Sequence, residues 1–528
     1  MAANPKDVEQ QKFKLQELHT PSSFEGVLWA LMGIEDARTI LHSAPGYYFN
    51  VHNNTLQNDW PVELYTSRLE YSSVMSGGER QLAKAMKVVV KQNPAALFVV
   101  TAPVTEVNQD DAEGVVEDID YPNSRVVRPA IGHSCNEGRE AAFRELIDMM
   151  DPDVEKRPNS VNLIGPTLSM FNWRADVYEL RRMLREIGIE VNTVMSAGAS
   201  FAEIQRAPAA ELNLCIYPYD CGAAAAQEME DRFGIPYQAN IVPIGFDNSL
   251  TWLQQVAEHF TLDISDYLAA CIKNATHFIR SNLVFSATFE LSTVLSFENH
   301  NTYALGIAEF FKKEVGVKVP LVCLSNEQAA ERVAASCEEV LLSPTLDLKK
   351  EKFVEYGPNL IFGNFYDQKM AAEEGFMNFV VADIPNAGFL ASENCPFMGL
   401  MGAKYLVQTA VNNTVTKLLI DTKGDVAGEL SGGSRDWDIA AEQALAKVSH
   451  AIPNFVRTFA VKKMHEVSEK IAREQGTSVT LAIVRQAAEE FAPARFKAKF
   501  GSIFDAAELD NAKPESAVED ENDLPVGE

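Results

Sequence analysis

The middle of the chain repeats a short apolar run, a turn of small residues and an amphipathic segment. In the clearest copy, Val161–Ile164 predicts a buried strand and Gly165–Thr167 a turn. From Asp176 to Ile187 the apolar residues recur with a period of 3.6, which predicts a helix with one buried face. Gly188 is expected to end that helix, and Val191–Met195 predicts the next strand. Such a unit joins parallel strands by a right-handed crossover.

The same alternation of strand and helix recurs along the chain. Further strands are predicted at Thr39–His42, Ala96–Thr101, Leu212–Tyr217, Ile241–Ile244, Leu283–Ala287, Val319–Leu324, Leu360–Phe362 and Phe379–Ala382. Further helices are predicted at Gly77–Gln92, Ala223–Phe233, Asn301–Val315 and Gln368–Glu374. The pattern indicates an α/β protein with doubly wound, Rossmann-like domains and parallel sheets. In such sheets, ligands bind beyond the carboxyl ends of the strands.

The segment 436–495 differs, because it is helical in period and lacks strand patterns. A linker rich in Gly and Asp, residues 421–435, precedes it. We therefore predict three α/β domains, a small helical domain and an acidic, disordered tail. Their expected bounds are 1–157, 158–282, 283–420, 436–495 and 496–528. The tail prediction rests on nine acidic residues and one basic residue in 501–528.

Composition narrows the class of protein. The chain has 528 residues, of which 46% are hydrophobic and 23% charged, as in globular proteins. No apolar run is long enough to span a membrane, and the first residues have no apolar signal core, so we expect a cytoplasmic protein. The formal net charge of −28 disfavours nucleic acid and anionic membranes as partners.

Familiar cofactor motifs are absent from the sequence. There is no G-x-x-x-x-G-K-[ST] and no G-x-G-x-x-G after a strand, so neither ATP nor a dinucleotide is expected to bind by those routes. The seven cysteines are widely spaced and form no C-x-x-C pair. Cys215 and Cys221 are expected in the core, whereas Cys135 is expected in a polar loop beside His133, as a reactive or ligating thiol or a quiet loop cysteine.

The segment 42–54, which follows the first predicted strand, combines a Pro-Gly turn, three aromatics and two histidines. The segment 101–111 follows another strand and is expected to face the same way. Its two aspartates either contact a partner or cap a helix, and capping is favoured. Gly77 and Gly78 predict a simple turn. His277 and His300, expected near helix starts or loops, are candidate proton donors or structural residues.

Three segments of the first predicted domain resemble the larger subunits of the nitrogenase superfamily. They are LHSAPGYYFNVHN, SSVMSGGERQLAKAM and LFVVTAPVTEVNQDDAEG, at residues 41–53, 72–86 and 97–114. The segments at 395–412 and 437–476 are similar to nitrogenase-like pigment reductases. The resemblance favours their Z-type subunit, which acts on chlorophyllide a in bacteriochlorophyll biosynthesis. The alternative is the B-type subunit of light-independent protochlorophyllide reductase.

This resemblance implies an oxidoreductase subunit that reduces a ring double bond of a tetrapyrrole. A homologous partner subunit, Y-type or N-type, would share a [4Fe–4S] cluster with this chain, and two such pairs would associate. A separate iron–sulfur protein would hydrolyse ATP and deliver the electrons. By the same resemblance, Gly46, Tyr47 and Tyr48 would lie near the cluster, and His277 would be a candidate proton donor.

The sequence departs from the family pattern at Tyr47, where the resemblance implies a cysteine or an aspartate as the cluster ligand. Three interpretations remain open. The partner supplies every ligand, another residue such as Cys135 substitutes, or this chain has lost the cluster. The departure also leaves open a non-catalytic scaffold for cluster assembly. A related reductase with a different substrate is a further alternative.

Overall fold

The computed structural model describes residues 21–47, 63–286, 291–376, 378–384, 394–421, 437–451, 454–491 and 500–507. The chain divides into two compact units. The larger consists of Met1–Ser286 and Glu290–Val411, and the smaller of Ala287–Phe289 and Asn412–Glu528. No helix among the described residues combines the length and apolar character needed to cross a membrane.

The first sheet of the larger unit has four parallel strands in the order β2-β1-β3-β4. These are β1 (Ala37–His42), β2 (Leu64–Thr66), β3 (Ala96–Thr101) and β4 (Ser124–Val127). The helices are α1 (Ser23–Leu31), α2 (Tyr71–Ser76), α3 (Glu79–Val89), α4 (Pro103–Asn108), α5 (Ala112–Ile119) and α6 (Cys135–Asp148), with a 3₁₀ turn at Val90–Gln92. The strand order reverses between β1 and β3, which creates a crevice at the switch point.

The second sheet repeats this topology in the order β6-β5-β7-β8. Its strands are β5 (Ser160–Ile164), β6 (Glu190–Val194), β7 (Leu212–Cys215) and β8 (Tyr237–Gln238). The helices are α7 (Trp173–Glu186), α8 (Phe201–Gln205), α9 (Ala223–Phe233), α10 (Phe246–His259) and α11 (Ser265–Ser286), with a 3₁₀ turn at Ala207–Ala209. Its switch point lies between β5 and β7.

The third sheet has five parallel strands in the order β11-β10-β9-β12-β13. They are β9 (Thr293–Ser296), β10 (Leu321–Leu324), β11 (Glu339–Leu342), β12 (Leu360–Gly363) and β13 (Phe379–Val381). The helices are α12 (Asn301–Phe310), α13 (Glu327–Val333), α14 (Leu346–Tyr356) and α15 (Phe365–Glu373). A π-helical turn, Phe311–Val315, ends α12, and the helix α16 (Gly399–Asp421) follows the third sheet.

The strand–helix–strand unit predicted at 161–195 forms for the local reasons that the sequence indicates. On α7, Leu180, Met183 and Leu184 are buried at helical spacing, which explains why this segment folds as a helix against the sheet. Gly188 follows the end of the helix with φ +82°, a conformation that glycine adopts without steric penalty. The predicted bounds of α9 and β3 match the structure at both ends.

Two strand predictions are wrong. Leu283–Ala287 was expected as a strand, but α11 runs through to Ser286, across the predicted boundary at 282/283. A short apolar run fits a helix as well as a strand, and periodicity alone does not separate them. Ile241–Ile244 is also not a strand, and the ladder instead uses Tyr237–Gln238. Pro243, which has no N–H to donate, lies in the middle of the predicted run.

The smaller unit is helical, as predicted for 436–495. Its helices are α17 (Ile439–Ala451), α18 (Asn454–Gln475) and α19 (Leu481–Phe491). The prediction that disorder begins at 496 is wrong for residues 500–507, which are helical. Phe500 and Phe504 are buried in the core of this unit together with Val448 and Val484. Residues 500–507 of the predicted tail therefore pack through apolar side chains, which the acidic composition of the tail did not indicate. Residues 422–435 of the predicted linker lie outside the described residues.

Candidate functional site

Loops from three neighbouring strands meet at the carboxyl end of the first sheet. His42, the last residue of β1, is fully buried. Its Nε2 lies 3.1 Å from Oδ2 of Asp110, and its Nδ1 lies 2.9 Å from Oγ of Ser67. Ser67 follows β2, whereas Asp110 belongs to the loop after β3. This contact confirms that the segments beginning at residues 42 and 101 face the same crevice, which is the switch point of the sheet.

The turn that carries Gly46 and Tyr47 lies at this same end of the sheet. The Tyr47 N–H donates to the carbonyl of Ala44 at 3.2 Å, and its ring packs edge-on against Phe24 with 5.5 Å between centroids. Tyr47 is 37% exposed, so its ring is open to solvent on one side. No neighbour lies within 4 Å of the position of a Cβ at Gly46. Tyr48 lies outside the described residues.

Two helix N-termini border the crevice. Gly77 and Gly78 form the predicted turn before α3, and Asp111 caps α5 by accepting a hydrogen bond from the Gly114 N–H at 2.9 Å. The capping prediction is therefore confirmed for Asp111, while Asp110 contacts His42 instead. The Glu79 carboxylate accepts from the Asp111 N–H at 3.2 Å and so ties α3 to the loop after β3.

Exposed apolar residues surround this edge. Val107 on α4 is 77% exposed, and Ile131 in the loop after β4 is 61% exposed. Two large apolar side chains are therefore open to solvent on the segments that follow β3 and β4. Between them, Arg128 bonds to the carboxylates of Glu106 and Glu113, and its hydrogen bond lowers the pKa of Glu113.

Cys135 was predicted in a polar loop, but this placement is wrong. It is the first residue of α6, capped by Ser134 and Glu137, and it is buried. The close packing of α1 on α6 causes this burial, since a Cβ at Gly26 would lie 2.1 Å from the Cys135 carbonyl oxygen. Burial raises the pKa of the thiol to about 11, so the thiol is protonated at neutral pH. Iron–sulfur clusters are held by thiolates.

The donor set of the described residues does not fit a [4Fe–4S] cluster by itself. No three of their His, Cys, Asp or Glu side chains are grouped as metal ligands would be. Cys215 and Cys221 are buried, as predicted, and their pKa values are raised by burial. The position expected for a ligand is occupied by the phenol of Tyr47. The described residues therefore place no group of metal ligands at this edge of the sheet.

The two candidate histidines have different environments, and neither is among the residues that meet Tyr47. His277 lies in the interior of α11 and is exposed, so its predicted place at a helix start or loop is wrong. His300 precedes α12, as predicted, and is fully buried. Its Nδ1 is bonded to the Asp383 carboxylate, and its Nε2 lies 2.9 Å from the carbonyl oxygen of Ser169. His300 therefore joins the loops after β5, β9 and β13.

Asp176, which the sequence predicted only as the start of a helix, is a buried carboxylate that connects several segments of the chain. Oδ1 of Asp176 accepts from the N–H groups of Phe397 and Met398 at 2.7 and 2.9 Å. Its Oδ2 accepts from the hydroxyls of Tyr217 and Tyr303. Burial raises the pKa of Asp176 to about 6, although all four hydrogen bonds favour the charged form. In the sequence, the signal for this role is an acidic residue at the start of a helix face that is otherwise apolar.

Arg139, which the sequence analysis also did not single out, is a second buried charged residue and contacts the loop after β5. Its guanidinium donates to Ser169 Oγ at 3.1 and 2.7 Å, and also to Asn136. A cavity of about 520 Å³ is lined by residues that precede β5, β7 and β8, including Asn159, Glu211 and Ile235. It is at the amino ends of the strands, opposite the edge where ligands bind parallel sheets.

Comparison with known proteins agrees with this architecture. The family described as Nitrogenase component 1 type Oxidoreductase matches residues 22–415, about three quarters of the chain. A solved structure entitled Nitrogenase Cp1 at pH 6.5 superposes with a TM-score of 0.67 at 15% identity, covering 77% of this chain and 95% of that one. A second, at pH 5, gives a TM-score of 0.61 at 18% identity, covering 75% of this chain and 88% of that one. These structures confirm the predicted fold.

Curated relatives are named as the B subunit of light-independent protochlorophyllide reductase. The protein from Synechococcus elongatus is 25% identical over 504 residues, covering 88% of this chain and 96% of that protein. The protein from Zygnema circumcarinatum is 24% identical with the same coverage. The protein from Halorhodospira halophila is 28% identical over 339 residues, covering 61% of this chain and 63% of that protein. These relatives carry the name of the predicted alternative rather than that of the chlorophyllide-reducing subunit.

Proposed function

We propose that this chain, which belongs to the nitrogenase component 1 type oxidoreductases, is a subunit of a reductase that acts on protochlorophyllide. The observation that carries the proposal is the extent of its likeness to the B-type relatives. The family match ends at residue 415, whereas those relatives align over 88% of the chain, a share that includes part of the helical unit. The sequence interpretation favoured chlorophyllide a, and the names of the relatives favour its alternative.

The geometry suggests how the chain would contribute to such a reductase. Tyr47, Val107 and Ile131 are exposed at the carboxyl end of the first sheet, where a partner subunit of the same family would dock. The cluster would lie at this interface, and its thiolates would come from the partner, because Cys135 is buried under α1 and no group of metal ligands occurs among the described residues. Of the three interpretations of Tyr47, we therefore propose the first, in which the partner supplies the ligands.

The remaining components would be on other chains. Reduction of a ring double bond takes two electrons and two protons, and a separate ATP-dependent iron–sulfur protein would supply the electrons. His277 remains a proposed proton donor, since its ring is exposed on α11 and free to exchange protons with solvent.

The test is a turnover assay of the complex. The chain would be co-expressed with its partner subunit, purified without oxygen, and supplied with the reductase protein, ATP and dithionite. Protochlorophyllide and chlorophyllide a would be offered separately and followed by absorbance. Turnover of protochlorophyllide supports the proposal. Turnover of chlorophyllide a alone contradicts it in favour of the Z-type function, and iron without turnover of either indicates a scaffold. A complex that contains no iron and binds no tetrapyrrole would overturn it entirely.

Two variants of one residue test the ligand assignment. Tyr47→Phe keeps the edge-on contact with Phe24 and removes only the phenol oxygen. If the partner supplies the ligands, this variant keeps the iron content and the turnover of the wild type. Loss of iron in Tyr47→Phe would show that the phenolate is a ligand. Tyr47→Cys introduces a thiol at the same place, and a changed iron spectrum in this variant would verify that the position faces the cluster.

A further inference from the structure

The ring of His42 links the two loops that border the turn at Pro45–Tyr47. Ser43, which starts this turn, donates its N–H to Ser67 Oγ at 3.2 Å, and Ser67 Oγ lies 2.9 Å from His42 Nδ1. On the opposite side of the ring, Nε2 lies 3.1 Å from Asp110 Oδ2. The ring therefore spans the crevice from the loop after β2 to the loop after β3, with the loop after β1 between them.

These contacts indicate which ring nitrogen of His42 carries the proton. Ser67 Oγ accepts from Ser43, so its single proton is free to be donated to His42 Nδ1. The ring proton is then on Nε2, on the side of Asp110. The other tautomer would place the Nε2 lone pair beside a carboxylate oxygen, which is repulsive. Burial lowers the pKa of the His42 ring, although Asp110 and Glu79 oppose this shift, and so favours the neutral ring.

The backbone of His42 is attached to the same loop as its ring. Its carbonyl oxygen accepts from the N–H of Ala102 and from Thr105 Oγ1, both at 3.2 Å. The contact of Nε2 with Asp110 is close but not linear, and no described residue donates a well-aligned hydrogen bond to that carboxylate. Asp110 is 3% exposed, so the nearby imidazole is the polar group on which its buried carboxyl group depends.

We propose that His42 is a positioning residue, which holds the Pro45–Tyr47 turn in place through Ser67 on one side and Asp110 on the other. The proposal concerns the turn itself, and only its last test rests on the proposed function. In the assembled reductase this turn would lie beside the cluster, so the orientation of an otherwise inaccessible ring would control the geometry at the interface.

The test separates the two contacts of the ring. His42→Asn retains an amide near the position of Nδ1 and loses the contact with Asp110, whereas Ser67→Ala removes the opposite link and leaves the ring in place. His300→Gln is the matched control, because His300 is also fully buried and paired with an aspartate, but lies at the third sheet. Backbone hydrogen exchange of the full-length chain would be followed by mass spectrometry on peptides covering 43–47.

We expect exchange in 43–47 to become about 5- to 10-fold faster in His42→Asn and in Ser67→Ala, the range for loss of one buried hydrogen bond. His300→Gln should leave this peptide unchanged while lowering the thermal midpoint. Faster exchange throughout the first sheet to the same degree, or no change in 43–47, would overturn the proposal. Because Ser67→Ala also removes the acceptor of the Ser43 N–H, Asp110→Ala, which removes the other contact of the ring, decides the outcome if His42→Asn does not fold.

The iron-containing complex supplies a second measurement. In His42→Asn, the electron paramagnetic resonance spectrum and the turnover per iron should both change, whereas His300→Gln should change only the yield of complex. An effect on yield alone in His42→Asn would contradict the positioning role. If the wild-type complex contains no iron, the proposed function fails, while the hydrogen exchange result still decides the role of His42.

Discussion

The buried carboxylate of Asp176 makes the stability of the larger unit depend on pH in a defined way. It accepts four hydrogen bonds, two of them from the segment that starts α16. Asp176→Asn is the informative perturbation, because the amide oxygen can accept from Phe397 and Met398. The amide nitrogen can donate to the tyrosine hydroxyls, which are free to rotate. The variant keeps the shape of the site and removes the titration.

The magnitude follows from the pKa. Burial raises the pKa of Asp176 from its ordinary value of 3.8 to about 6 in the folded chain. The folded state therefore binds more protons than the unfolded state between these values, and lowering the pH stabilises it. The contribution is complete below pH 3.8 and is lost as the pH rises through about 6. It amounts to roughly 3 kcal/mol in total, of which about half is regained between about pH 7.5 and about pH 5.

The assay compares the free energies of unfolding of wild type and Asp176→Asn in urea at both pH values. All other titrating groups are common to the two proteins, so the change in their difference isolates Asp176. The wild type should gain on the order of 1 kcal/mol relative to the variant at about pH 5. Tyr217→Phe is the control, since loss of a hydroxyl that donates to Asp176 raises the pKa of the carboxyl further and moves the gain to higher pH.

A difference that is the same at both pH values would refute the reasoning, because it would mean that Asp176 has an ordinary pKa in the folded chain. A difference of the opposite sign would mean that the four hydrogen bonds stabilise the carboxylate more than burial destabilises it.

Three further predictions concern packing and reactivity. Gly78→Ala places a Cβ 2.5 Å from Asp110 Oδ2, so it should lower the free energy of unfolding in urea by about 1–3 kcal/mol, whereas Gly46→Ala, with open space around it, should have little effect. Cys135, with its pKa raised to about 11, should be alkylated by iodoacetamide on the order of 100-fold more slowly in the folded chain than in denaturant; equal rates would contradict its burial. Phe504→Ala should cost about 3–5 kcal/mol in the helical unit, measured as a loss of helical circular dichroism at lower urea concentration.

The sequence predicted most of the central strands and the edge strands β6 and β13, and it missed other edge strands. β1, β3, β5 and β9 lie inside their sheets, and nearly all of their residues are buried, which gives continuous apolar runs. Of these, β9 was missed, and a strand was predicted instead at Leu283–Ala287, where the apolar end of α11 lies. The missed strands β2, β4 and β11 are at edges and only partly buried, so polar residues interrupt their patterns.

The candidate site was also predicted only in part. The meeting of His42 with the loop after β3 followed from the topology, because both follow neighbouring parallel strands. Ser67 was missed together with β2, the edge strand that positions it. The burial of Cys135 depends on α1, which is buried along its whole length and so has no amphipathic period to reveal it. Tertiary contacts of this kind have no local signature in the sequence.

The loops at the three switch points of the larger unit make different contacts. This difference favours the carboxyl edge of the first sheet as the functional edge. At the second and third sheets, the loops contact each other: the carboxylate of Asp220, after β7, accepts from the N–H of Asn301, after β9, at 2.6 Å. His300 reaches the carbonyl of Ser169 at the same junction. The loops after β5, β7 and β9 are therefore hydrogen-bonded to one another at the carboxyl ends of these strands. At the first sheet His42 and Asp110 close the floor of the crevice, while Tyr47 remains exposed above the strand ends. Among the described residues, Tyr47 is exposed at the first switch point, and this is the reason for proposing the interface there.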